Sequence, residues 1–243
     1  IWVETPTNPM MNIIDIKAIS GIAKKLNALL AVDNTFATPY LQQPIKYGAD
    51  LVIHSATKLM DGQGRVLGGV TVGSKELIRE LFLFARNTGA SLSPFNAWVL
   101  SKSLETLAVR VDRHCDNAFT IAEKLEVSQN INWVKYPFLK SHPQYALAKK
   151  QMLKGGNIIA FELIGGLEAG QNFINAIELC SLSSNLGDSR TIITHPASTT
   201  HSKLTKEDRM AVGITDGMIR LSIGLEHPED IWNDLKNALS KIG

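Results

Sequence analysis

Lys58 stands just beyond the apolar run Leu51-Val52-Ile53, behind two small hydroxyl residues, Ser55 and Thr57. A lysine in that place suits a pocket better than a solvated face. Desolvation beside other cations lowers an ammonium pKa and makes the amine a nucleophile able to form a Schiff base. The neighbouring Ser55 and Thr57 hydroxyls suit a phosphate. Asp33 closes a second apolar run, Leu29-Leu30-Ala31-Val32. An ionised carboxylate at the edge of an apolar core calls for a cation nearby, and Asp33 reads as a turn cap, a metal ligand, a ribose binder or the partner of a protonated pyridine nitrogen. Asn8 follows a first run, Ile1 to Glu4. Ligands of parallel sheets bind beyond the carboxyl ends of the strands, so these groups are expected to meet. An amine for an aldehyde, hydroxyls for a phosphate and a carboxylate for a pyridinium are together what pyridoxal 5'-phosphate requires.

Arg220 adds a cation. Within Met218 to Ile223, Ile219, Leu221 and Ile223 take one face of a strand and leave Arg220 and Ser222 on the other. An arginine among apolar neighbours needs an anion, either an acidic side chain or a ligand carboxylate that fits its planar fork. The segment Asp61-Gly62-Gln63-Gly64-Arg65-Val66-Leu67-Gly68-Gly69 is glycine-rich, but it precedes a strand instead of following one, which argues against a dinucleotide site and leaves a flexible loop as the plain alternative. His195 and His201 flank a proline-containing segment and cannot form a helix-face metal pair. They are expected to be structural or to stand behind the groups that touch a ligand, and His114 is a third histidine that could do acid–base work. Met10, Met11 and the four tryptophans are expected to pack, and Cys115 and Cys180, which lack metal-ligand spacing, to be buried free thiols.

The elements that must position these groups follow from period and punctuation. The chain has 243 residues, 44% hydrophobic and 20% charged, which allows one or two domains with an ordinary core. Its net charge of +2 is scattered singly, so no nucleic-acid or membrane footprint is visible, and no apolar run approaches the roughly 18 residues of a membrane span. A cytoplasmic protein with a small-molecule partner is expected. Ile1-Trp2-Val3-Glu4 has no initiator Met and resembles a strand already under way, so the chain is expected to be a piece of a longer one. Strands are expected over Leu29 to Val32, Leu51 to Ile53 and Leu67 to Val72, the first two buried and parallel. Ile16, Ile19, Ile22, Ala23 and Leu26 mark one helix face. From Ala97 to Leu125 there is no Gly or Pro, which predicts one long bridging helix. Beyond it come strands at Trp133-Val134, Ile158 to Leu163 and Gly217 to Glu226, and helices at Gly170 to Leu179 and Ile231 to Ile242. The expected fold is α/β, a mainly parallel sheet flanked by helices over residues 1–110, then a smaller α+β domain over residues 111–243.

His54-Ser55-Ala56-Thr57-Lys58, preceded by Val32-Asp33-Asn34-Thr35-Phe36 and Glu4-Thr5-Pro6-Thr7-Asn8-Pro9, closely resembles the Cys/Met-metabolism family of fold-type I pyridoxal-phosphate enzymes. The likeness extends through His195 to His201 and Gly217 to Glu226, and so covers essentially the whole chain. It implies that Lys58 holds the cofactor aldehyde as a Schiff base, that Asp33 pairs with the pyridinium nitrogen, and that Ser55 and Thr57 bind the phosphate. Asn8 would approach the cofactor hydroxyl, Thr35 would lie near the ring, and Arg220 would grip a substrate α-carboxylate. The Asp61 to Gly69 segment and Asn185-Leu186-Gly187-Asp188 resemble the O-succinylhomoserine sulfhydrylase branch, whereas many lyases and synthases of the family place a Ser where Asn185 stands. An Asn amide would donate to the substrate instead, and Arg65, by its charge and its place in that loop, reads either as a surface arginine or as a cation that meets the succinyl carboxylate. The implied reaction is γ-replacement by sulfide in methionine biosynthesis. Cystathionine γ-synthase, cystathionine or methionine γ-lyase, and a catalytically inert scaffold are the alternatives. The family also implies a homo-oligomer, a tetramer, and draws its Gly-rich phosphate cup from a segment before the first strand.

Overall fold

In the computed structural model, which describes residues 1–199 and 202–242, the first three strands run parallel and end on the same side. The elements are β1 (Trp2–Glu4), α1 (Ile16–Lys25), β2 (Ala31–Asp33), α2 (Thr38–Leu41), β3 (Leu51–Ser55) and β4 (Gly69–Gly73), with sheet order β1-β2-β3-β4. β4 returns antiparallel to β3, placing Gly69 opposite Ser55. The Asp15 side chain caps α1 by accepting the Ala18 N–H at 2.9 Å. Ile16 and Ala23 then pack against Leu30, Val32, Ala49 and Val52. Two residues expected on that face are instead exposed, Ile22 and Leu26. Ile22 lies about 100° round the helix from Ala23, and Leu26 is the C-cap, already past the last turn. Leu29 is likewise 51% exposed, because β2 begins only at Ala31.

The chain continues through α3 (Lys75–Thr88), α4 (Pro94–Leu104) and α5 (Leu107–Glu126). The single helix expected over Ala97 to Leu125 is therefore two, broken at Glu105-Thr106 without Gly or Pro. Ser103 supplies the cause. Its hydroxyl donates back to Val99 O at 2.7 Å, a bond that bends helices, and its carbonyl is taken by the Arg110 side chain at 2.9 Å. The expected domain boundary at residues 110–111 lies in the first turn of α5.

The second sheet is built from β5 (Ile131–Lys135), β6 (Ile158–Leu163), β7 (Ser181–Leu182), β8 (Ile192–Thr194) and β9 (Met218–Ser222), in the order β5-β6-β9-β8-β7. Its helices are α6 (Tyr145–Gln151), α7 (Gly166–Asn175), α8 (Lys206–Ala211) and α9 (Pro228–Leu239). All pairs but β7–β8 are antiparallel. Phe161, Phe173, Ile193, Ile219 and Leu221 pack with Ala118, Ile121 and Leu125 of α5 and with Leu235 of α9. The N-terminal part of α5 serves a different core, where Leu107, Val111 and Cys115 meet Ile13, Ala37 and Leu41.

α7 ends at Asn175, short of the expected Leu179. The chain is drawn away there by Asp234 of α9, whose carboxylate accepts the N–H groups of Glu178, Leu179 and Cys180 at 2.9, 3.0 and 2.9 Å. Cys115 and Cys180 are buried free thiols, both pushed up by burial, Cys115 to about 12. Of the tryptophans, Trp133 and Trp232 pack, but Trp2 and Trp98 are exposed. Asp234→Ala should lower unfolding stability by about 1.5–3 kcal/mol, the scale of hydrogen bonds to a charged group left unmade, in a denaturant titration monitored by circular dichroism.

Candidate active site

The strand ends are tied together by side chains from the loops that leave them. Asp33 Oδ1 accepts the Thr35 N–H at 3.0 Å, an Asx turn, and Thr35 Oγ1 in turn accepts the Ser55 N–H at 2.8 Å. Asp33 thus does cap a turn, with one oxygen; among the described residues the other makes no hydrogen bond. Behind the turn, buried Asn34 donates to Thr38 O and Gln42 O, and Gln42 donates to Thr5 O, so the loops after β1 and β2 share one amide network. Glu4 sits opposite Asp33 in register, and burial raises its carboxyl pKa, helped by the Asp33 charge. On the other face of β3, burial pushes the His54 imidazole down, against the opposing pull of Asp33.

Lys58 stands in a tight turn closed by Lys58 N–H to Ser55 O at 3.2 Å and Gly62 N–H to Lys58 O at 2.8 Å. Its amine donates to Asn185 Oδ1 at 2.5 Å. Burial first and the Arg220 charge second hold its pKa below the ordinary lysine value. Arg220 comes from β9 in the other sheet. It donates Nη1 to Asn8 Oδ1 at 3.2 Å and Nη2 to Ser184 O, Asn185 O and Thr194 Oγ1 at 2.9, 3.0 and 3.4 Å. Its Nε is buried with no partner, and burial lowers its pKa to about 10. The acidic side chain that was one expected partner is not there: among the described residues Arg220 forms no salt bridge. A desolvated guanidinium with an unused N–H and only neutral acceptors is built to receive an anion.

The loop carrying Asn185 is held by Gly187, whose φ is +74°. A Cβ there would lie 2.7 Å from Leu59 N, so only glycine lets the loop lie against the Lys58 turn. Gly187 N–H donates to Ser222 Oγ at 2.8 Å. Thr57 Oγ1 accepts the Gly68 N–H at 2.9 Å and so pins the far end of the glycine-rich loop, while the Ser55 hydroxyl has no partner among the described residues. Arg65 is bound to buried Asp61, Nε to Oδ1 at 3.0 Å, and its Nη2 donates to Ser103 Oγ at 2.7 Å. Thr57, Lys58, Arg65, Leu67, Ser184 and Asn185 line a cavity of about 350 Å³.

His195 binds Ser198 Oγ and Asp216 O, and His114 binds Ile223 O, which ties both rings to the framework. His201, with Thr200 and Gly243, lies outside the described residues. The sequence reading missed Ser184 and Thr194 as Arg220 acceptors. Ser184 offers only a main-chain carbonyl, which carries no residue signal, and Thr194 is brought in by strand pairing with Arg220. Among the described residues no group of three or more His, Cys, Asp or Glu side chains could hold a metal ion, and no helix is long and apolar enough to cross a membrane.

Residues 1–240 match the family described as Cys/Met metabolism PLP-dependent enzyme. The chain belongs to that family. Its fold is accordingly the α/β fold-type I architecture of pyridoxal-phosphate enzymes, and its relatives are enzymes. L-methionine gamma-lyase of Fusobacterium nucleatum subsp. nucleatum is 49% identical over the whole chain and 62% of its own length. O-succinylhomoserine sulfhydrylase of Pseudomonas aeruginosa is 47% identical over 99% of the chain and 60% of its own length. A crystal structure of cystathionine gamma synthase from Xanthomonas oryzae pv. oryzae, in complex with aminoacrylate and cysteine, superposes with a TM-score of 0.96 at 42% identity, over 99% of the chain and 62% of that structure. The chain spans about three fifths of the length of these relatives. Its donor set fits pyridoxal phosphate: a desolvated amine at Lys58, a carboxylate oxygen at Asp33 and a hydroxyl at Ser55 that are unbonded among the described residues, and the buried Arg220 guanidinium whose charge acts on Lys58.

Removing Arg220 should reverse part of the Lys58 shift. The free amine exists above its pKa, and Arg220 lowers that pKa, so in Arg220→Met the pH midpoint for trapping Lys58 with an aldehyde and borohydride should move upward. Peptide mapping of the label across a pH series checks it; an unchanged or lower midpoint contradicts the assigned cause.

Proposed function

We propose that the protein is a pyridoxal-phosphate-dependent enzyme of γ-replacement, joining sulfide to an O-succinylhomoserine-type ester to give homocysteine and succinate. One observation carries this reading. The cavity beside Lys58 is lined by Ser184 and Asn185, whose carbonyls accept from Arg220, and by Gly64 to Leu67 with Arg65. A substrate carboxylate matches Arg220, which has no acidic partner among the described residues; at a second carboxylate Arg65, already paired with Asp61, offers only its Nη1 hydrogens. Pyridoxal phosphate, when bound, supplies the aldehyde that takes an amino group and the ring that accepts an electron pair from Cα.

The chain's own residues supply the rest. Asp33, through its unengaged oxygen, holds a proton at the ring nitrogen, and Ser55 donates to the phosphate. Thr57 reaches the phosphate only by giving up its contact with Gly68 O. Asn8 keeps Arg220 in line, and Arg220 binds the α-carboxylate through its free Nε–H and an Nη. Lys58 Nζ would remove the Cα proton; a low pKa favours that role because the amine must be neutral to accept it. Lys58 then relays a proton at Cβ as the Cγ–O bond breaks and succinate leaves with its electron pair. Hydrosulfide would form the new C–S bond at Cγ, and Lys58 would return the protons to Cβ and Cα, restoring the amino acid as homocysteine. Asn185, neutral and bonded to Nζ, orients the amine without fixing it as ammonium. Arg65 has committed Nε and Nη2 to Asp61 and Ser103, so Nη1 is the atom left for a succinyl oxygen.

A second reading is favoured by the relatives named L-methionine gamma-lyase at 49% and 48% identity, in which the same residues would release a sulfur group from Cγ instead of adding one. Product analysis separates the two. Incubation with O-succinylhomoserine and sulfide should yield homocysteine, and methionine should not be cleaved; methionine cleavage without homocysteine formation supports the lyase. Cysteine as the preferred acceptor, giving cystathionine, supports a synthase. Lys58→Ala should abolish both turnover and the visible absorbance of bound cofactor, and retained turnover would sink the assignment.

A further inference from the structure

The turn that carries Lys58 ends in carbonyls that its own backbone does not satisfy. Lys58 O accepts from Gly62 N–H, but the next two carbonyls turn to a side chain of α5. Arg110 donates Nη1 to Leu59 O at 2.8 Å and Nη2 to Met60 O at 3.2 Å. The same Nη2 reaches Ser103 O at 2.9 Å, and Nε donates to Thr106 Oγ1 at 3.2 Å. All four partners are neutral, and among the described residues Arg110 forms no salt bridge. Burial, with the Arg65 charge second and Asp61 opposing, holds its pKa below the ordinary arginine value. Such a group is costly to bury, yet the chain makes room for it. Gly62 has a φ of +71°, and a Cβ there would collide with Arg110 Nη1.

The geometry also sets what Arg110 can do. The orphan carbonyls at the end of a helical turn need a donor, and a planar guanidinium spans two adjacent carbonyls, which an ammonium holds only one at a time. Gly187 lies against the backbone of Lys58 and Leu59, and Ser189 N–H bonds Gly62 O at 2.8 Å. The Lys58 turn is therefore held by both the Asn185–Arg190 loop and Arg110. We propose that Arg110 is a positioning residue for the Lys58 amine, clamping the Leu59 and Met60 carbonyls so that the turn presents Nζ to Asn185 and the cavity. The same clamp takes the Ser103 carbonyl and separates α4 from α5, so one side chain couples the break in the helix to the seat of the lysine. The proposal rests on the reading that Lys58 takes the cofactor aldehyde.

The test uses the purified protein with added pyridoxal phosphate. Imine formation is followed by absorbance, and the borohydride-trapped lysine is located by peptide mapping. Wild-type label on a lysine other than Lys58 overturns the proposed function and this inference together. With wild-type label on Lys58, Arg110→Met should form the imine at Lys58 about tenfold more slowly per folded molecule, and Arg110→Lys, which restores one carbonyl contact, about threefold more slowly. Folded fraction is taken from circular dichroism, and Arg110→Lys serves if the Met variant does not fold. Wild-type imine rates at Lys58 in every variant that folds, however much Tm falls, would show that Arg110 only stabilises the fold and would overturn the positioning role alone.

Discussion

Two cations, Lys58 and Arg220, are close enough to feel each other's charge, and among the described residues neither has a carboxylate partner. Lys58 and Arg220 each lose hydration by burial, and Arg220 makes the ammonium of Lys58 less favourable still. A buried acidic partner would cancel this charge and close the site to anions. The chain answers instead with neutral acceptors: the Asn185 amide for Lys58, and the Asn8 amide, two main-chain carbonyls and a threonine hydroxyl for Arg220. These satisfy hydrogens without neutralising charge, so the positive field stays available to whatever anion enters.

That constraint explains much of the local architecture. Carbonyl acceptors must be aimed, so the loop from Ser183 to Asp188 has to lie against both the Lys58 turn and β9. Its left-handed glycine and the bond from Gly187 to Ser222 make that possible. The Asn8 contact reaches across from the loop after β1 to a strand of the second sheet, making the pocket a joint product of both. On the acidic side, Asp33 spends one oxygen on its own turn, and the Thr35–Ser55 bond keeps β2 and β3 in step. The carboxylate and the two cations are thus set by different elements, which keeps them from collapsing into a simple ion pair.

How much of this was legible depended on whether residue type and hydrophobic period record the cause. The strand ends announced themselves because apolar runs stop at Asp33 and Ser55, and residue type alone marked Lys58 and Arg220 as groups needing a special setting. The alternation Ile219, Leu221, Ile223 against Arg220, Ser222 holds in β9, where the first set joins the main core. What failed was decided by side-chain hydrogen bonds, near in sequence at Ser103 and far at Asp234, which hydrophobic period does not record. No window around Ser103 shows that Arg110 will take its carbonyl, and nothing near Ile177 shows that Asp234 will straighten the chain. The antiparallel return of β4 follows from sheet pairing, which a run of apolar residues does not encode. The missing acidic partner of Arg220 is the instructive case: sequence showed the need for an anion, and only the three-dimensional arrangement shows that none of the described residues supplies it.

α5 belongs to two cores. Its first turns, through Leu107, Val111 and Cys115, complete the packing beneath the strand-end loops, and its later turns, through Ala118, Ile121 and Leu125, complete the core of the second sheet. At 1.5 Å per residue its 20 residues form a rod about 30 Å long. Loss of order in either core would strip one stretch of the rod of its burial and weaken the support of the other. The packing of each sheet is therefore tied to that of the other through one helix.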